Sequence, residues 1–162
     1  MSGLLNSLGK LLARDLTGRT WQREASHPYF TNLIYFGSKD EQACYWEAEV
    51  QIPEEALRVG VTMTGTPAGP TAAEEQFCRA ALADLDALFE RCRFVFQTEF
   101  VKWTKQPMPA DWRGTFKLDG FQIPVNGDAS TDWELCYFVE TAGHHFTAVF
   151  DRGQVKHVAV DG

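Results

Sequence analysis

The sequence predicts an α+β domain: a predominantly antiparallel sheet of about six to seven strands packed on one long helix, with a short N-terminal leucine-rich helix. Three observations carry this prediction. Thr71 to about Trp103 holds helical periodicity over many turns, runs of alternating polarity lie on both sides of it, and the connections between those runs are short.

The long helix begins at a capping box. Thr71 follows Pro70, and Glu74 stands three residues on, so the hydroxyl can accept from the Glu74 N–H while the glutamate reaches back to the threonine. Phe77, Ala81, Leu85, Leu88, Cys92 and Phe96 recur at steps of three and four, and Cys78, Leu82 and Phe89 widen the stripe. Such a face must be covered. Glu75, Arg79, Asp84, Asp86, Glu90 and Arg91 lie opposite, with Glu75 and Arg79 at the supportive four-residue spacing. From Arg93 to Val101 the pattern also fits strand alternation, and we read it as helix continuing.

Ahead of this helix, Leu4, Leu5, Leu8, Leu11, Leu12 and Leu16 form a leucine stripe at helical steps. It is expected to pack across the open side of the domain or to mediate self-association. Residues 1–20 are read as this helix and a connector, and 21–162 as the α+β domain, with Trp21 to Pro28 as connecting chain. Thr31 to Phe36 is β-rich. From Ala43 to Ile52 the faces separate: Cys44, Trp46, Ala48, Val50 and Ile52 point one way, and Tyr45, Glu47, Glu49 and Gln51 the other. Val59, Val61 and Met63 mark a third strand. After the helix, Trp112, Phe116 and Leu118 begin a fourth, which Asp119-Gly120 interrupts with a bulge or tight turn. Trp133 to Val139 follows, and His144 to Phe150 with Gln154 to Val160 closes the chain as a hairpin.

Composition narrows the function. Of 162 residues 44% are hydrophobic, enough for a single core, and the net charge is −7 with no lysine and arginine stripe. A protein that neutralises phosphates needs such a stripe, so nucleic acid is not expected as a partner; a basic protein is. Cys44, Cys78, Cys92 and Cys136 lie inside apolar elements with no CxxC spacing, and buried thiols in a reducing, cytoplasmic setting are expected. No run of residues is apolar enough to cross a bilayer. Phosphate-loop and Gly-x-Ser-x-Gly motifs are absent, and no cofactor is expected.

Two candidate surfaces remain. Tyr45, Glu47 and Glu49 combine an aromatic anchor with two charges on the wet face of one strand, the composition of a protein-recognition patch. In the last hairpin, a three-residue loop from Asp151 to Gly153 pairs Phe146 with Val158 and makes His145 and His157 diagonal neighbours about 7–8 Å apart. With Asp161 on the same face, these two histidines form a candidate metal or acid/base site. Asn126, Asp128, Asp132 and Glu134 lack the order of a calcium loop and read as turn chemistry.

The segment Trp46 to Pro53 (WEAEVQIP), the Gly69-Pro70-Thr71 opening of the helix and the ending Val149 to Gly162 resemble uncharacterised bacterial domains built of three strands, one long helix and four strands. Together they span most of residues 31–162, and the leucine-rich segment lies outside. Some domains of this kind accompany toxin systems as immunity proteins. The resemblance implies a non-enzymatic protein-binding module whose partner is a toxin. The alternative is a small-ligand binder or metal-dependent enzyme working through the hairpin histidines.

Overall fold

The computed structural model describes residues 21–161. In it the chain lays down β1 (Trp21–Ala25), β2 (Thr31–Gly37), β3 (Tyr45–Ile52) and β4 (Leu57–Thr64), then α1 (Ala72–Leu82) and α2 (Leu85–Thr104). β5 (Phe116–Ile123), β6 (Trp133–Val139), β7 (His144–Asp151) and β8 (Gln154–Asp161) follow. The strands form one eight-stranded sheet in which spatial order equals chain order. The leucine-rich helix expected over residues 4–16 lies outside the described residues.

The α+β class, the antiparallel majority and the helical layer match the sequence reading, with three corrections. First, the sheet has an additional strand: Trp21–Ala25, read above as connector, pairs with β2 as an edge. Every residue of β1 is exposed, so it carries no alternation to reveal it. Second, β4 and β5 run parallel, Gly60 opposite Gly120 and Val61 opposite Phe121. The helices fill the connection between them, and parallel neighbours need a crossover of that kind. The sheet is therefore two antiparallel meanders joined by a helical crossover.

Third, the single long helix is two. The Thr71–Glu74 capping box forms as expected. At Asp84, however, the backbone leaves the helix (φ −141°, ψ 90°), and the side chain accepts from the Ala87 N–H at 2.9 Å to cap α2 afresh. The apolar spacing from Ala81 to Leu85 runs unchanged across this break, so periodicity alone hides it. Beyond Cys92 the chain stays helical to Thr104, where Lys105 takes a left-handed cap at φ 59°.

One face of the sheet takes the helices. Phe89 of α2 is fully buried, stacked on Trp112 at 4.5 Å and edge-on to Phe116 and Tyr137, while Phe96 meets Phe116, Tyr137 and Phe146. Aromatic contacts of this kind add to the apolar area they remove from water. The row Ala48, Val61, Phe121, Leu135, Ala148 and Val158 crosses from β3 to β8 on this side, so alternation in each strand converges on one core.

The C-terminal hairpin closes differently from expectation. Asp151 pairs with Gln154 around a two-residue turn in which Arg152 (φ 52°) and Gly153 (φ 75°) are both left-handed. That turn follows the strand twist, which outweighs the roughly 1–2 kcal/mol that a left-handed arginine costs. Arg91 of α2 donates to the Gly153 carbonyl at 2.8 Å and ties the turn to the helix. A bulge at Val149–Phe150 then sets Phe146 opposite Val160, two residues from the predicted partner.

Two substitutions test this account by urea denaturation. Phe89→Ala should lose about 3–5 kcal/mol, since it empties the centre of the aromatic cluster. Arg152→Asn should gain about 1 kcal/mol, because asparagine tolerates the left-handed region; an unchanged or lower midpoint would contradict the turn geometry.

Candidate functional site on the open face of the sheet

Strand register places every candidate residue on the sheet face opposite the helices. One row crosses it as Ile34, Glu47, Thr62, Gln122, Glu134, Val149 and His157. A second runs Glu49, Gly60, Gly120, Cys136, Thr147 and Ala159, and a third Lys117, Phe138, His145 and Asp161. Among the described residues no helix or strand crosses this face.

The floor of the face is nonetheless sunk. Thr62 is 2%, Cys136 2%, Thr147 4% and Glu47 8% exposed. Thr62 Oγ1, Thr64 Oγ1 and one carboxylate oxygen of Glu134 are buried without a hydrogen-bond partner. Such orphans are few in folded proteins, and each costs stability unless something else meets it. Burial raises the pKa of Glu47, against a hydrogen bond from Tyr45 that lowers it. Glu134 is raised by burial and then by Asp132 and Asp161.

Around β3 the predicted patch is built but not free-standing. Tyr45 stacks on Phe36 at 4.9 Å with ring planes 7° apart, and burial followed by the charge of Glu47 pushes its pKa up to about 12. Glu49 accepts from Asn32 at 2.6 Å and pairs with Arg58 at 3.3 Å. Glu47 is buried, where the wet face of the strand led to an exposed carboxylate.

The hairpin site is rearranged. His145 lies directly across from Asp161, but His157 faces Val149. Four residues of strand, about 13 Å, separate His157 from the position opposite His145, so the two histidines are not diagonal neighbours. His145 instead meets Asp119, with Nε2 and Oδ2 2.8 Å apart, and Phe138 lies beside the imidazole at 5.1 Å.

The Asp119 bulge makes that contact. Leu118 pairs with Tyr137 and Gly120 with Cys136, leaving Asp119 as the extra residue whose carboxylate turns to the open face. Gly120 has no side chain to stand between Asp119 and Cys136. Asp119, Cys136 and His145 each bring a ligand atom within 4.8 Å of the others. Burial raises the pKa of Asp119, and the His145 hydrogen bond opposes it. The Cys136 thiol is pushed up to about 12, chiefly by burial, with Thr147 opposing and Asp119, Asp161 and Glu134 adding to the rise. A thiol so held is protonated and no ready nucleophile.

Asp119-Gly120 was legible as a bulge, while its chemical use depends on β5, β6 and β7 being adjacent. Elsewhere, a cleft of about 160 Å³ lies between Tyr29, Ile52 and Leu82, and one of about 150 Å³ lies between Leu57, Leu85 and Trp112. Both are smaller than the roughly 300–1,000 Å³ of small-molecule sites. No described helix is long and apolar enough to cross a membrane. Comparison with protein-family models, curated proteins and solved structures gives no match.

The pKa of Glu47 sets a pH test. Its folded value lies above the ordinary 4.5, so between the two values the folded chain binds more protons than the unfolded chain, and stability falls as pH rises through that window. Glu47→Gln should therefore stabilise the protein at neutral pH, with the gain vanishing below the unfolded value. Urea midpoints at several pH values check this, and a gain that persists in acid would contradict it.

Proposed function

We propose that the chain is a non-enzymatic protein-binding module whose open sheet face receives a basic protein partner, as an immunity protein receives a toxin. One observation carries the reading. A face that no described helix or strand crosses brings together Glu47, Glu49, Asp119, Glu134 and Asp161 against Arg58 and Lys117, within a chain of net charge −7. Opposite fields across an interface speed encounter and exclude like-charged competitors. Tyr45, backed by Phe36, supplies an aromatic anchor beside these charges.

Affinity capture from the native host at about 50 mM and about 500 mM salt tests the reading. A basic protein should be recovered at low salt and lost at high salt, and its binding should weaken by at least about 2 kcal/mol, roughly 30-fold in Kd, in Tyr45→Ala and in Glu49→Lys. Recovery of no protein, or of one held equally by both variants, would overturn it.

A further inference from the structure

We infer that Asp119, Cys136 and His145 form a divalent transition-metal site suited to zinc, with a fourth position left to water. The site goes beyond the partner reading and does not depend on it. The donor set is one thiol, one imidazole and one carboxyl, the mixture that zinc accepts and that magnesium and calcium do not.

Geometry comes first. In tetrahedral zinc centres the metal lies about 2.0–2.3 Å from nitrogen, oxygen and sulfur, which sets the ligand atoms about 3.3–3.7 Å from one another. Here the ligand atoms lie within 4.8 Å, and the Asp119–His145 pair is already at 2.8 Å. Closing the set takes shifts of about an ångström in three side chains, with no change of strand register. Two of the three ligands come from the hydrogen-bonded strands β6 and β7, where backbone ladders hold their spacing, and the third comes from the β5 bulge.

The surroundings supply the second argument. Asp161 stands directly across from His145, Glu134 lies two residues from Cys136 on the same face of β6, and a Glu134 oxygen is buried with no partner. A divalent cation neutralises this concentration of acid at its centre. The chemistry balances without a co-reactant. The metal takes the sulfur lone pair as the thiol proton leaves to solvent, and it takes the Nε2 lone pair as that nitrogen gives up its hydrogen bond to Asp119, any proton on Nε2 passing to Nδ1 or to solvent.

The test uses untagged, reduced protein. Cobalt(II) titration should show one equivalent bound per chain with a thiolate-to-metal charge-transfer absorption, and calorimetry should show one zinc site. The cobalt absorption should vanish in Cys136→Ser. Zinc affinity should fall by more than about 100-fold in His145→Ala and Asp119→Asn, beyond the loss typical of removing an outer hydrogen-bond partner. His157→Ala should leave it unchanged. Absence of the charge-transfer absorption in the wild-type protein overturns the site with no variant needed. So does stoichiometric zinc binding that survives in folded Cys136→Ser and His145→Ala, with folding followed by circular dichroism.

Discussion

The seating of Phe89 and Phe96 among Phe116, Tyr137 and Phe146 is the contact on which the rest of the architecture depends. It joins α2 to β5, β6 and β7, elements far apart in the chain, and it decides which sheet face is dry. Once α2 is laid there, strand alternation dictates the opposite face down to single residues, because each strand can turn only every second side chain toward the core. The open face is thus a consequence of the aromatic core and needs no separate explanation. The crossover follows from the same contact: the chain must leave β4, form the helical layer and re-enter the sheet at β5, which makes that pair parallel.

Local signals in the sequence were sufficient wherever the determining chemistry is local. The Thr71–Glu74 box, the inward set Trp46, Ala48, Val50 and Ile52, and the Asp119-Gly120 interruption all appear where the residues place them. Failures fall where a distant partner decides. β1 exists because β2 offers it hydrogen bonds, and its own residues carry no pattern. The helix break at Asp84 hides within an uninterrupted apolar stripe, since a cap can restart a helix in phase with the one before it. At the hairpin, the Arg91 hydrogen bond to Gly153 and the strand twist act from outside the loop and hold Arg152 left-handed.

That hairpin slip shows why candidate sites are harder to read than elements. A shift of two residues keeps every side chain on its own face, so His145, His157 and Asp161 still share the open side. It nevertheless replaces one set of neighbours by another: His145 exchanges Ala159 for Asp161 directly across the ladder, while His157 moves two pairs away. The partner His145 does acquire, Asp119, could not be found within the hairpin, because it arrives through a bulge two strands away.

The energetics of the open face run against folding stability. Glu47, Asp119 and Glu134 all have raised pKa values because burial disfavours their charged forms, and Thr62, Thr64 and Glu134 each leave a polar oxygen without a partner. Apolar residues on a sunken sheet floor would avoid these costs, and the valine- and phenylalanine-rich strands of this chain supply such residues freely on the other face. Thr62, Thr64 and Glu134 lie on the face that the described helices do not cover, while Trp133 Nε1, Tyr137 OH and His144 Nδ1 are buried without a partner on the other face. Partly satisfied polar clusters of this kind are what a binding surface requires, since a group already satisfied within its own fold gains little from a partner. A basic partner at the rim and a divalent cation at the Asp119–Cys136–His145 cluster would relieve the same excess of buried negative charge, so one physical feature motivates both proposals.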